Sequence, residues 1–248
     1  MSETLGKVER PAADRFHSRR KLYLVFLVFT HESAPQEYKD RCEQYWSQIA
    51  DQLAKLESKA GAAIHIYHES VYEKGEAGLA LIEKAHPYSH ELAKTRSAAG
   101  ATVEALEDRE LAAELHDWER FMLMGFASSK VGELVRDLYT QARKKHNEHV
   151  VKTIDATLGS GEAGVLFMRE GHGLQFPSDI EVFSVVPPAL DELHRWLRDQ
   201  QKRSQAFEEQ VDQDEEKVAQ DGEQVEPVEP VQEETSGPGE HGPDTEVA

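Results

Sequence analysis

Residues 22–29, Leu-Tyr-Leu-Val-Phe-Leu-Val-Phe, are apolar without interruption. An eight-residue run of β-formers that is apolar on both faces predicts a central strand covered on both sides, as in an α/β sheet. A helix is expected next. Ser33 is its N-cap, Gln36 its capping-box partner, and Pro35 sits in the first turn. Tyr38, Cys42, Tyr45/Trp46, Ile49, Leu53 and Leu56 then recur at helical spacing. Gly61 ends that helix just after Lys59, a favourable charge at a C-terminus. A second strand covers residues 62–69, with Ile64 and Ile66 assigned to one face. Ser70 repeats the capping arrangement with Glu73. A helix over 75–96 follows through Leu79, Ile82 and Leu92, and Pro87 must kink or split it. Residues 97–101 form a small-residue loop.

From Asp108 the pattern is helical again. Leu111, Leu115, Trp118, Met122 and Phe126 make one stripe, and Gly125 with Ser128-Ser129 marks a break. The next stripe runs unbroken through Val131, Leu134/Val135, Leu138/Tyr139, Ala142, His146, His149/Val150, Thr153/Ile154 and Leu158. It stops at Gly159-Ser160-Gly161. A third strand is expected at 164–169 and a fourth at 180–185. Pro187-Pro188 opens a last helix through Leu190, Leu193, Trp196 and Leu197. The predicted order is β-α-β-α-α-α-β-β-α. Strands separated by helices imply a mostly parallel sheet of about four strands. The short link between the third and fourth strands leaves their relative direction open.

Charge changes this picture at the C-terminus. The chain of 248 residues has a formal net charge of -19. Residues 204–248 hold 15 acids and one base (Lys217), a net of −14, which leaves −5 for residues 1–203. The tail has no Leu, Ile, Trp or Tyr and is expected to be disordered, since it buries too little apolar area to offset its ordering entropy. Three segments result: a polar N-terminal arm at 1–20, one α/β domain at 21–203, and the acidic tail. No basic stripe is present, so nucleic acid and anionic membrane surfaces are not the expected partners. A membrane span needs about twenty apolar residues, and no such run exists. The arm carries Arg10, Arg15, Arg19 and Arg20 without an apolar stretch, unlike a secretory signal. Cys42 is the sole cysteine and falls on the apolar helix face, where a plain buried thiol is expected. These features predict a soluble, cytoplasmic protein.

Nucleotide-binding glycine motifs and the Gly-x-Ser-x-Gly elbow are absent from the sequence. Gly171-His172-Gly173 is too short for a phosphate cradle. The chemistry-bearing feature is a coincidence of three strand ends. The first runs into His31-Glu32, the second into His68-Glu69, the third into Arg169-Glu170-Gly171-His172. In a parallel sheet these ends share one edge, where open α/β folds bind ligands. Imidazole with carboxylate suits a divalent ion such as zinc or manganese, or an acid–base set. His31, Glu69 and His172 lead the candidate set. Glu32 and His68 are second, because neighbours on a strand face opposite ways. His146 and His149, one turn apart on the long helix, have a spacing that can chelate a metal, and read first as core or boundary side chains. Arg143 with Lys144 and Lys145 reads as a solvated face that could also hold an anionic group.

The strand-end residues, with the stretch 146–158 and then Gly164-Val-Leu-Phe-Met-Arg-Glu-Gly-His172, resemble the TraB/Tiki and erythromycin-esterase-like superfamily. The likeness covers about residues 22–172. It implies an α/β fold and hydrolase activity of the kind some members show, metal-dependent in the Tiki branch. His31 would match the first-strand His, Glu69 the second-strand acid and His172 the late Gly-His. Val28 stands where the family has Gly, and His146 where it often has Arg or Lys. Residues of about 109–199 also resemble a group of uncharacterised bacterial proteins. The resulting expectation is a hydrolase with a His/Glu site acting on a small molecule or peptide. Its ligands would be His31 and His172, with Glu69 as ligand or general base. The alternative is a non-catalytic binding module with the acidic tail contacting a protein partner.

Overall fold

The computed structural model describes residues 19–222. The expected arm, apart from its last two residues, and the last part of the tail lie outside the described residues. Five strands form one sheet: β1 (Arg20–Phe26), β2 (Ala63–His68), β3 (Thr102–Val103), β4 (Ala163–Met168) and β5 (Ile180–Val185). Their order across the sheet is β3-β2-β4-β1-β5, and every pair is parallel. The helices are α1 (Gln36–Ala60), α2 (Gly75–Ala85), α3 (Pro87–Ala98), α4 (Arg109–Leu123), α5 (Ser129–Thr157) and α6 (Pro188–Gly222). The α/β class and the expected order hold, with β3 added at one edge. Two residues carry no periodicity, so β3 is visible only through its pairing of His65 with Thr102 and Ile66 with Val103. Pro87 splits the second helical stretch into α2 and α3, as its missing N–H requires.

β5 is parallel to β1, which settles the direction the sequence left open. β1 lies between β4 and β5, so the chain after β4 returns to the opposite edge of the sheet before β5 begins. That return is an extended segment whose Leu174 and Phe176 pack on the sheet.

The alternation of β1 divides the core in two. Tyr23 and Val25 face one layer, with Cys42, Trp46 and Ile49 of α1, Ile82 of α2, Ala93 of α3 and Leu190 and Leu193 of α6. Leu22 and Leu24 face the other, with Val150 and Ile154 of α5. Buried tyrosine hydroxyls are all paired: Tyr23 donates to the Gly61 carbonyl, Tyr45 to the Phe26 carbonyl, and Tyr67 meets Thr157 Oγ1 at 2.8 Å.

Several local expectations are corrected. Ser33 and Ser70 cap no helix. α1 starts after Pro35 with no side-chain cap, and α2 starts after Lys74. Ser33 Oγ instead meets His31 Nδ1 at 2.9 Å, and the Ser70 N–H donates to His68. Ile64 and Ile66 do not share a buried face. The β2–β4 register shifts between Ala63 and His65, and this irregularity leaves Ile64 41% exposed while Ile66 is fully buried. On the α5 stripe Val135, Ala142, His146, Val150 and Ile154 are buried, but Val131 and Leu134 are exposed. A helix of 29 residues is about 43 Å long, whereas a six-residue strand spans about 20 Å. The N-terminal part of α5 therefore overshoots the sheet, and α5 packs on α4. The chain divides at Trp196/Leu197 into two compact units. In the second, α6 continues past Arg203 to Gly222, where order had been expected to end. Residues 204–222 are rich in Gln and Glu and lack Pro, so intrinsic propensity supports a helix there. Among the described residues no helix is long and apolar enough to cross a membrane.

Gly78 in α2 is required by close packing. A Cβ there would lie 2.2 Å from the Glu73 carbonyl oxygen and 2.8 Å from Val103 Cγ1. Gly78→Ala is expected to cost about 2–3 kcal/mol by forcing α2 off β3. An unchanged urea midpoint would refute that packing constraint.

Candidate functional site

The topology creates one crevice. β1 and β2 leave the sheet toward the α1–α3 layer, while β4, inserted between them, leaves toward the α5 layer. Adjacent strands whose exits diverge open a cleft at their carboxyl ends. A cavity of about 180 Å³ lies there, lined by Glu69 after β2, Arg169 and His172 after β4, Glu107 and Glu119 around α4, and Arg143, His146 and Asn147 of α5.

Two of the five expected metal or catalytic residues, Glu69 and His172, line this cavity. The other three do not. His31 and Glu32 are exposed, His31 bonding to Ser33 and the Glu32 carbonyl accepting from Lys39. His68 is fully buried on the α3 side. Its Nδ1 accepts from the Ser70 N–H, so in the neutral ring Nε2 carries the proton and donates to Ser89 Oγ at 3.0 Å. Ser89 in turn donates to the His86 carbonyl. This proton arrangement also bars His68 from activating Ser89 as a nucleophile. Burial, helped by nearby His86, pushes the His68 imidazole down to about 3.

Glu69 is engaged. Its Oε2 accepts from the Arg169 backbone N–H at 2.7 Å and from Nε at 3.3 Å. Burial raises its carboxyl above the usual range against the opposing charge of Arg169. The other end of Arg169 bonds both oxygens of Glu119 at 3.2 Å. His172 sits between Gly171 and Gly173, both with left-handed φ near +70°. That turn lets His172 Nδ1 accept from the Leu174 N–H at 2.9 Å, while Asn147 donates to the His172 carbonyl. Burial and then the charge of Arg143 lower the His172 imidazole. Glu170 also lines the cavity and is paired with His194 at 2.9 Å.

The residues present do not fit a metal ion: among the described residues no group of three or more His, Cys, Asp or Glu side chains could hold one. The zinc or manganese set of His31, Glu32, His68, Glu69 and His172 is therefore not assembled. His146 and His149 form no chelate either, since His149 Nε2 lies 3.5 Å from Thr153 Oγ1 and His146 turns to α4.

A close, buried polar contact in the cleft joins residues that the strand-end pattern did not include. His146 Nε2 lies 2.6 Å from Glu107 Oε2, with the Glu107 side chain 4% and that of His146 11% exposed. Glu107 is set by its own N–H donating to the Val71 carbonyl and by Asp108 capping α4 immediately after it. His146 lies on the buried face of α5, between Ala142 and Val150. Desolvation lowers this imidazole, but the hydrogen bond and charge of Glu107 outweigh it, with a smaller raising contribution from Asn147, and the net shift is upward. His146 Nδ1 is buried and has no hydrogen-bond partner. The clue available in the sequence was a His on an apolar stripe. Its partner is 39 residues away and belongs to no pattern.

The fold and cleft define an open parallel α/β protein with a crevice at its topological switch. No family model, no curated protein and no solved structure matches the chain.

Proposed function

We propose that the crevice is an acid–base site that hydrolyses an acyl substrate, with His146 as general base and Glu107 as the residue that orients it. The observation carrying this reading is the His146–Glu107 pair. Glu107 fixes the proton on Nε2, which leaves the lone pair of Nδ1 free. A buried polar atom without a partner is costly in a structure, so its retention calls for a use. In the reaction a water oxygen adds to the acyl carbon while its proton passes to Nδ1. That proton then goes to the departing group as the acyl bond breaks. His172 and Arg169 line the same cavity and would bind the substrate. Glu69 holds Arg169 in place, so the general-base role assigned to it from the strand ends passes to His146. The resemblance to the TraB/Tiki and erythromycin-esterase-like superfamily supports the same reaction class.

The test is turnover of chromogenic esters, thioesters and anilides by the full chain, with pH profiles. A neutral imidazole is the active form, so kcat/KM should rise with pH through an apparent pKa above the ordinary 6.5. Glu107→Gln removes the charge that raises it, and the rising limb should move to lower pH. A limb that stays in place removes Glu107 from the proposal. Absence of turnover across the panel overturns the hydrolytic reading and leaves the binding-module alternative.

A further inference from the structure

A second, larger groove of about 580 Å³ runs along the outer face of α5, walled on its far side by Gly173 and Gln175. It shares Arg143 and Asn147 with the smaller cavity, so the two spaces meet at those side chains. Its size is that of a small-molecule site.

The charges around it are unevenly compensated. In the smaller cavity every carboxylate has a basic partner: Glu69 and Glu119 have Arg169, Glu107 has His146, and Glu170 has His194. In the groove Asp155 is held by Arg20 at 2.7 Å. Glu148 lies 3.9 Å from Lys144. Among the described residues Arg143 has no carboxylate partner and donates only to the Gly171 carbonyl. Lys152 has no ion-pair or hydrogen-bond partner among the described residues. Two uncompensated cations thus line one groove of a chain whose net charge is -19.

We infer that this groove binds the anionic end, carboxylate or phosphate, of the molecule whose acyl bond lies at His146, with Arg143 as the recognition residue where the two spaces join. The inference rests on the acid–base reading for the identity of the reacting end. The anion site itself rests on the charges. A guanidinium presents five N–H donors in a planar fork, and one carbonyl leaves several of them for a carboxylate or phosphate. Lys152 adds attraction further along α5. Val151 gives the body of the ligand an apolar contact between them.

The test is an amide-resolved NMR titration of the full chain with phenyl phosphate, benzoate and uncharged benzyl alcohol. At least one anion is expected to shift the Gly173 and Gln175 amides saturably, at a concentration at least tenfold below that needed for benzyl alcohol. The anion that binds more tightly identifies the headgroup. Arg143→Gln should weaken binding at least tenfold and Lys152→Gln two- to threefold. Lys152→Gln alters no contact of the fold, and it carries the test if the Arg143 variant is destabilised. Equal binding of benzyl alcohol, shifts located elsewhere, or unchanged affinity in both variants would overturn the inference. Turnover is read separately. Turnover without anion binding removes the groove and keeps the acid–base site, whereas anion binding without turnover keeps the groove and removes the reaction.

Discussion

The His146→Gln protein is expected to fold and to lose turnover by a factor of about 10²–10⁴, the usual contribution of a positioned general base. The glutamine amide can still donate to Glu107, so the buried carboxylate keeps a partner and the α4–α5 contact survives. Only the exchangeable lone pair is lost. Stability should therefore fall by about 1 kcal/mol, the net value of one hydrogen bond, while kcat falls far more. The two readouts separate a chemical role from a structural one. A His146→Gln enzyme with wild-type kcat would sink the proposal. The pairing has its own pH signature. His146 is raised in the folded state, so its pairing contributes fully below pH 6.5 and is lost as pH rises through the raised value.

Acidification should destabilise the protein steeply, for the opposite reason. His68 is buried and neutral, its imidazole pushed from 6.5 down to about 3 by desolvation. Desolvation also lowers His86, against the raising effect of the hydrogen bond that its Nε2 donates to the Val28 carbonyl at 2.8 Å, while its Nδ1 accepts the Ser89 N–H that it caps. Their folded values lie below the unfolded one, so the unfolded chain takes up protons first. Stability is complete above pH 6.5 and is lost progressively as pH falls. Each fully engaged histidine costs about 1.4 kcal/mol per pH unit in that window. Between pH 6.5 and about 4.5, His68 alone should remove roughly 3 kcal/mol, a large share of the stability of an ordinary domain. Urea unfolding at stepped pH measures the slope. His68→Gln keeps a donor for Ser89 but cannot titrate, so its slope should be shallower by about one proton. A variant slope equal to that of the wild type would show that His68 does not control the acid limb.

The elements were legible where a single chain segment carries its own signal. The apolar run of β1 reads as a doubly covered strand, Pro87 as a break, and Gly125 with Ser128-Ser129 as the break before α5. The Ser33 and Ser70 caps were misassigned because hydroxyls at loop positions have competing partners. Here those partners are His31 and His68, whose rings come within reach only after the strand ends turn. Ile64 misled because a bulge changes which residues share a face, and a bulge depends on the neighbouring strand.

For the site, the sequence by itself pointed to the edge at the strand carboxyl ends, and Glu69 and His172 line the cavity found there. It also separated a strongly acidic C-terminal segment from a nearly neutral body. Only the tertiary structure decided which histidine faces which acid. Alternation along a strand gives the direction of a side chain, but not the strand order that makes β4 the neighbour of β2 and sends its exit to the other layer. That order buries His68 on the α3 side, leaves His31 in solvent, and brings α5 against the segment before α4. The Glu107–His146 contact is a product of two elements meeting across the cleft, and local sequence periodicity contains no information about such a meeting.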